Sequence, residues 1–422
     1  LYSNKAGAYN MAIGWAAMIN NSNGSYNVAN GYAALANNTT GTGNVGVGFY
    51  SLFSNLSWSW NTALGYYAGY GNTVWVSNTY IGQYAWYTAT GVSSVVAIGS
   101  WALFNNRASN SVAVWVDALF SNTTWTFNTA VGRSALKANT IGTLNTAMWV
   151  QALTANTTGQ RNTTYGAQSL LSNTTWYANT ALGFQSLGSN VSWWNNVAIW
   201  PLTLINSTGT WNTSVWAESL GNVTSGNGNT AIGFQAWFGN TTGSNNTYVG
   251  SGATASSTNL QNTTAIWYGA LVNANNKIVL GNVFATTVGW YGLWTNYSDR
   301  RLKENITYTD RLWLEFIDRL KTASYNYIWT DPISYRRDGL IAQDVQEIMR
   351  ELGIPFSWLI IDDDERKTLN LSYESFIIPL INSVQELHKN QEVHIKKIEL
   401  LEQENLSLRN RLEAIERKLW IQ

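Results

Sequence analysis

The chain contains no cysteine, and its only histidines are His388 and His394. The absence of cysteine excludes disulfides, thiolate metal sites and a cysteine nucleophile, and it leaves the redox compartment open. Both histidines fall in a C-terminal stretch with a helical pattern, so a Ser-His-Asp catalytic site is a poor fit. A hydroxyl nucleophile in this chain would need another base.

Charge is scarce before Ser298. The 297 residues ahead of it hold eight charged side chains: Lys5, Arg107, Asp117, Arg133, Lys137, Arg161, Glu218 and Lys277. The other 18 basic and 22 acidic residues follow in the last 125 positions, and the formal net charge is zero. The charge balance and the lack of a long apolar run predict no nucleic-acid partner and no membrane insertion. The sequence begins at Leu1 rather than methionine, so we expect further sequence upstream.

The uncharged part is filled by a repeat with a period of 17 residues. The theme is visible in "NTALG" at Asn61, "NTAVG" at Asn128 and "NTAIG" at Asn229. Repeats start at 10, 27, 44, 61, 78, 95, 111, 128, 145, 162, 179, 196, 212, 229, 246 and 263. Short strands and turn residues at a fixed period predict a β-solenoid or β-roll. A flexible linker is disfavoured because Leu136, Leu153, Leu170 and Leu187 recur in register.

Tryptophan occupies columns of the repeat where glycine is otherwise found. The fifth position is glycine in eleven repeats and tryptophan in the other five, at Trp115, Trp149, Trp200, Trp216 and Trp267. A turn column shows the same exchange, with Trp58, Trp75, Trp125, Trp176 and Trp193. Recurring glycine indicates positive φ or close backbone approach, which tryptophan tolerates poorly. We therefore hypothesise that a codon translated here as tryptophan, UGA, is decoded as glycine in the source organism; the alternative is a genuine aromatic ladder.

After Ser298 the pattern becomes mixed α/β. Residues 310–321 and 342–352 read as helices, and residues 324–329, 356–361 and 367–371 as strands. The acidic turn at 362–365 is interpreted as a solvated hairpin tip rather than a metal site.

Heptad spacing begins at Ile377 and predicts a coiled coil, hence an oligomer. Polar Gln391, His394 and Asn405 fall in its apolar seam, where we expect them to set register and strand number rather than bind a ligand.

Ser298 and Lys303 are the candidate nucleophile and base. A serine needs a base to take its proton, and a lysine serves only when burial or a nearby cation lowers its pKa from about 10. Since a separation of five residues does not place both on one helical face, a turn must bring them together. Taken alone, "SDRRLKEN" reads as a solvated, charged helix start.

The segment "SDRRLKENI" at 298–306, directly behind a β-repeat, resembles the opening of the intramolecular chaperone domain of phage tailspikes and tail fibres, peptidase family S74. "DGLIAQDVQEI" (338–348) and "LNLSYESFIIPLINSVQEL" (369–387) are similar to later blocks of that family. The resemblance implies a homotrimer whose C-terminal domain helps the shaft fold and then cuts itself off. It implies Ser298 as nucleophile, Lys303 as general base, Tyr297–Ser298 as the scissile bond, and Asp299, Arg301 and Asn305 as supporting residues.

These observations predict a mainly β N-terminal part, a small α/β domain and a C-terminal α-helical coiled coil. The expected boundaries are 1–267 for the solenoid, 268–297 for a connecting segment, 298–375 for the chaperone and autoprotease domain, and 376–422 for the trimeric coiled coil. No cofactor or metal is expected.

The predicted function is a phage tail fibre or tailspike, assembled in the host cytoplasm and carried on the virion, with a host-surface receptor, expected to be a glycan. The alternative is a trimeric adhesin on a bacterial surface. A glycan hydrolase is disfavoured because Asp117 and Glu218, the only acids before Ser298, lie about six repeats apart.

Overall fold

The computed structural model describes residues 2–73, 76–88, 93–124, 127–189, 194–239, 241–285, 287–289, 298–307, 314–327, 336–354, 359–362, 364 and 366–419. The chain divides into two compact units, Leu1–Ala285 and Thr286–Gln422. Tyr297, Trp75, Trp125 and Trp193 lie outside the described residues.

The first unit is a β-solenoid, as the repeat predicted. Among the described residues, each coil contributes one short strand to a parallel sheet of seventeen strands. Paired residues are mostly 17 apart. The separation is 16 where Val96 pairs with Val112 and Val197 with Thr213, and 14 where Thr264 pairs with Ile278. The strands are β1 (Met11–Ile13), β2 (Val28–Asn30), β3 (Val45–Val47), β4 (Thr62–Leu64), β5 (Thr79–Ile81), β6 (Val96–Ile98), β7 (Val112–Val114), β8 (Thr129–Val131), β9 (Thr146–Met148), β10 (Thr163–Tyr165), β11 (Thr180–Leu182), β12 (Val197–Ile199), β13 (Thr213–Val215), β14 (Thr230–Ile232), β15 (Thr247–Val249), β17 (Thr264–Ile266) and β19 (Ile278–Leu280).

A second, two-stranded sheet pairs β16 (Thr254–Ala255) with β18 (Leu271–Val272). Strands β18 and β19 lie within residues 268–297, and β19 pairs with β17 of the preceding coil.

The solenoid core consists mainly of three columns that stack from coil to coil: the middle residue of each strand, the eighth residue of each repeat, which is often alanine, and the ninth residue. The middle residue of each strand, usually alanine, points inward, and the ninth residue of each repeat, usually leucine, faces it. Leu136, Leu153, Leu170 and Leu187 are all 0% exposed, which confirms the predicted register. Because one coil offers only a few small apolar groups, its burial depends on the coils on either side.

Buried asparagines satisfy the backbone at the turns. The amide nitrogen of Asn156 donates to Asn139 Oδ1 at 2.8 Å, and Asn139 donates in the same way to Asn122. At the first repeat position, Asn145 Nδ2 donates to the carbonyl of Gly159 at 2.7 Å, while its backbone N–H donates to Asn128 Oδ1. These ladders give the buried polar atoms partners that water would otherwise supply.

The corner after each strand, at the fifth repeat position, has a backbone conformation suited to glycine. Eleven glycines there have φ between 119° and 152°. The five tryptophans of the same column have φ between 93° and 129°. A Cβ added at Gly132 would lie 2.5 Å from the backbone carbonyl of Trp149 in the next coil. The corner thus combines positive φ with close backbone approach, the two requirements that the sequence indicated for glycine.

The second unit contains three helices and two hairpins among its described residues. The helices are α1 (Leu314–Arg319), α2 (Ala342–Leu352) and α3 (Ile377–Leu419), and the antiparallel pairs are β20 (Thr322–Tyr325) with β21 (Arg337–Leu340) and β22 (Leu359–Ile361) with β23 (Leu369–Leu371). Short 3-10 helices cover Arg300–Leu302 and Tyr373–Phe376. Its core joins Phe316 of α1, Val345 and Ile348 of α2, and Phe376.

Each predicted helix and strand has a counterpart in the structure, and residues 310–313, 328–329 and 356–358 of the predicted ranges lie outside the described residues. Helix α2 spans the predicted residues and ends at Gly353, whose φ of 63° allows a left-handed C-cap. The prediction of helix to residue 321 was wrong at its end, because Leu320 makes only an i to i−3 bond to Ile317 and β20 starts at Thr322. Strand β21 was not predicted.

Candidate functional site

Ser298 and Lys303 lie within hydrogen-bonding distance of each other. The amine of Lys303 donates to the hydroxyl oxygen of Ser298 across 3.0 Å. The 3-10 turn at Arg300–Leu302 supplies the chain reversal that a separation of five residues requires. Its hydrogen bonds run from Leu302 N–H to the carbonyl of Asp299 and from Lys303 N–H to the carbonyl of Arg300.

Asp299 and Arg301 shape this turn. Asp299 is its N-cap, and its Oδ1 accepts the Arg301 backbone N–H at 2.9 Å. The Arg301 guanidinium donates two hydrogen bonds to the same carboxylate, from Nη2 to Oδ2 at 2.6 Å and from Nε to Oδ1 at 3.1 Å. The side-chain bonds from Arg301, followed by the backbone bond, lower the pKa of Asp299, and the pKa of Arg301 is raised in return. The ion pair thus links the N-cap residue of the 3-10 turn to the turn's second residue. Asn305 follows with a φ of 54°.

The arrangement has the contact that a serine–lysine pair needs. A base must lie roughly 2.6–3.2 Å from the proton it takes, and the Oγ to Nζ distance of 3.0 Å falls in that range. Lys303 donates in this hydrogen bond, whereas a general base would have to accept the hydroxyl proton in its neutral form. Both side chains are exposed to solvent in the single chain. Tyr297, the other residue of the predicted scissile bond, lies outside the described residues.

Helix α1 is tied to helix α3 by a contact that the sequence did not indicate. The backbone N–H of Leu314 donates to Glu386 Oε2 at 3.0 Å, which satisfies a free N–H group in the first turn of α1. Glu386 lies in the block 369–387 that resembles the S74 family. The side chain thus connects the start of the long helix to the small α/β core.

Gly339 lies in a second close contact that the sequence did not indicate, against the hydroxyls of Tyr373 and Tyr325. It lies in β21, and a Cβ at this position would meet the Tyr373 hydroxyl at 2.5 Å and the Tyr325 hydroxyl at 3.0 Å. The Tyr373 hydroxyl accepts the N–H of Leu340 at 2.6 Å, so it is not free to move away. Burial, followed by interactions with Tyr327 and Tyr373, raises the pKa of Tyr325.

We predict that Gly339→Ala destabilises the C-terminal unit by about 1–3 kcal/mol, because the added methyl group overpacks the site. Urea denaturation followed by circular dichroism would measure the change. Gly353→Ala is the comparison variant. Its added Cβ would have no atom within 4 Å, but its φ of 63° is strained for alanine, so it measures backbone strain without crowding. Combining Gly339→Ala with Tyr373→Phe should recover part of the loss if crowding at the hydroxyl is its cause. No recovery would contradict that cause.

The acidic turn joins the two strands of the β22–β23 hairpin. The Asp364 carboxylate accepts the backbone N–H of Thr368 at 2.8 Å and its hydroxyl at 2.6 Å. Asp363 and Glu365 lie outside the described residues. Within the part of the chain that the structure describes, no three acidic or histidine side chains group closely enough to hold a metal ion.

The heptad positions lie on helix α3, and its apolar residues are exposed in the single chain. Leu401 is 45% exposed and Leu408 is 58% exposed. The predicted polar positions Gln391, His394 and Asn405 are exposed as well, and Asn405 Nδ2 donates to the carbonyl of Leu401 in its own helix. Exposure of so many large apolar side chains on one helix is typical of a surface that another chain covers. No helix among the described residues is long and apolar enough to span a bilayer.

Comparison with known proteins places the exposed serine in a family context. Residues 298–354 match the family described as chaperone of endosialidase, Peptidase_S74. The match starts at Ser298 and runs through α1, β20, β21 and α2. Neither a search of curated proteins nor a search of solved structures found a match to the chain. Residues 298–354 are therefore similar to the chaperone-of-endosialidase family, Peptidase_S74, and they follow a β-solenoid in the chain.

Proposed function

We propose that the chain is a phage tail fibre or tailspike protein whose C-terminal unit aligns three copies, helps the solenoids fold and then releases itself. The observation that carries the proposal is the hydrogen bond between Lys303 Nζ and Ser298 Oγ, at the first residue of the family match. The Peptidase_S74 domain is a self-cleaving intramolecular chaperone in its family.

The proposed chemistry uses Ser298 against the peptide bond that precedes it. Neutral Lys303 takes the hydroxyl proton while Oγ attacks the carbonyl carbon of Tyr297. The bond from Oγ to this carbon forms, the bond from the carbon to the Ser298 nitrogen breaks, and the nitrogen receives a proton. Water then hydrolyses the ester, which leaves a carboxylate on Tyr297 and restores the Ser298 hydroxyl. The reaction occurs once per chain.

The exposure of the dyad in a single chain gives a reason why cleavage would follow assembly. Both groups of the dyad are exposed in one chain, and Lys303 is the donor in their hydrogen bond. Neighbouring copies that cover the site would exclude water, and exclusion of water disfavours the charged form of an amine. The apolar stripe of α3 gives the copies a means to associate. Cleavage would therefore follow trimer formation.

A removable C-terminal unit is consistent with the way in which repetitive β-structures fold. Within one solenoid the strands pair residues about 17 apart, so these contacts are local, but nearly identical repeats leave the alignment of separate chains open to wrong registers. A clamp at the C-terminus would fix the alignment before the shafts form. Its removal would then leave a product held by a kinetic barrier to unfolding. The released shaft would act on the virion, where we propose that it meets a host-surface receptor.

The test is the intact mass of the purified chain beside a Ser298→Ala variant. We expect two fragments that meet between Tyr297 and Ser298 in the parent, and one full-length species in the variant. Lys303→Met should also remain uncut, whereas the matched control Lys321→Met, at an exposed lysine of the same unit, should cleave normally. If the parent stays full-length and sediments as an assembly, self-cleavage is refuted, but the proposal that the C-terminal unit holds the copies together stands. A full-length parent that sediments as a single chain would refute both.

A further inference from the structure

The outward side of the solenoid sheet is an uncharged surface of apolar and threonine side chains, and it is partly exposed in the single chain. It consists of the second and fourth residues of each repeat, which flank the inward-pointing middle residue of every strand; we call it the strand face. Fifteen of its seventeen fourth-position residues are Ile, Leu, Val or Met, and the exceptions are Asn30 and Tyr165. We propose that the strand face is the surface along which copies of this chain pack against one another.

None of the residues that form the strand face is charged. Every second-position residue is Thr, Val, Met or Ile. The eight charged residues before Ser298 all fall at other positions, such as Asp117 at the seventh, Arg133 at the sixth and Arg161 at the seventeenth. Exposed sheet surfaces and edges usually carry lysine or other charges that prevent association. The strand face therefore offers no charge repulsion against a second copy of itself.

In most strands the larger apolar side chains point outward rather than inward; β5 and β15 are exceptions, because their middle residues Tyr80 and Tyr248 are buried. In β14, Ala231 is fully buried while Ile232 is 39% exposed, and in β4 Ala63 is fully buried while Leu64 is 48% exposed. Parallel sheets are normally covered on both faces, because both faces of their strands carry apolar residues. In the solenoid, the coil interior covers only one of them.

The regular spacing identifies the occupant as another copy. Neighbouring strands lie about 4.8 Å apart, so the strand face repeats the same contact over roughly 80 Å. A partner that contacts every coil equally must have the same spacing, and a second copy of this solenoid has it. The inference rests on the proposed function in one respect, namely that α3 brings the copies together in register.

The absence of cysteine permits a direct test, in which each chain carries one introduced thiol. The strand-face variants are Leu64→Cys and Ile232→Cys. Their controls are Leu144→Cys and Ile141→Cys, at turn residues with similar exposure in one chain: 48% for both leucines, and 39% and 41% for the isoleucines. All four are made in the full-length Ser298→Ala background, so the result does not depend on cleavage. The readout is the rate of maleimide labelling, normalised to the rate in guanidinium chloride.

We expect labelling at the strand face to be at least tenfold slower than at the matched controls. Equal rates in a chain that sediments as an assembly would overturn the strand face as the interface while leaving the α3 clamp intact. Equal rates in a chain that sediments as a monomer would overturn both proposals. Slow labelling at all four positions would also overturn the inference, because protection would then not be specific to the strand face.

Discussion

Replacing Leu401 and Leu408 by asparagine is expected to convert the assembled protein into single chains. Both leucines occupy the heptad stripe of α3 and are 45% and 58% exposed when the helix is alone. Each leucine that an interface buries contributes roughly 1.5–3 kcal/mol, and every copy would lose two of them. Sedimentation velocity at micromolar concentration would measure the loss.

The same helix offers a control with matched chemistry. Leu400 and Leu406 are 56% and 61% exposed but lie outside the heptad stripe. Replacing these two by asparagine makes the same change in helix propensity and hydrophobicity, and we expect the assembly to persist. If both double variants dissociate equally, or neither does, the heptad stripe is not the contact. In the dissociated variant, the proposed function also predicts loss of cleavage at Ser298.

Restoring glycine at the five corner tryptophans is expected to stabilise the solenoid by several kcal/mol in total. Trp115, Trp149, Trp200, Trp216 and Trp267 hold φ between 93° and 129°, where an L side chain is strained. Such strain costs on the order of 1–3 kcal/mol at each site. The greater freedom of glycine in the unfolded chain offsets up to about 1 kcal/mol per site.

Thermal unfolding followed by circular dichroism would measure the gain, which we expect to raise the midpoint by on the order of 10 °C. A midpoint is the appropriate quantity, since long repeat arrays do not unfold as two-state systems. Trp15→Gly is the control: Trp15 is 70% exposed, has no left-handed backbone and stacks on Tyr32 at 4.8 Å. We expect no gain there. A five-site variant with an unchanged or lower midpoint would contradict the strain argument.

The gene offers an independent check on why the tryptophans are there. If the corner tryptophans are encoded by UGA, the strained backbone is explained by a codon that the source organism reads as glycine. If they are encoded by UGG, the hypothesis of reassignment is wrong, and the protein carries a strained aromatic column.

The elements predicted best were those whose side chains repeat with a fixed period. The solenoid columns around Leu136 and Leu153 and the helix 342–352 agree with the structure, because periodic burial leaves a periodic trace in the sequence. The ends of α1 and β20 were less accurate, since local competition between a turn and a strand decides them. Strand β21 contains Asp338 and Gly339 and has no strand pattern of its own; it forms because β20 pairs with it.

By itself, the sequence determined the coil period, the division into an uncharged repeat and a charged tail, the heptad stripe and the candidate serine and lysine. These features depend on residue type and spacing along one chain. The tertiary structure decided which groups meet. Examples are the 3.0 Å contact between Ser298 and Lys303, the hydrogen bond from the first N–H of α1 to Glu386, and the packing of Tyr373 against Gly339. It also decided which side of each strand faces outward. Contacts of this kind depend on turn geometry and on residues distant in sequence, which leave no periodic signal.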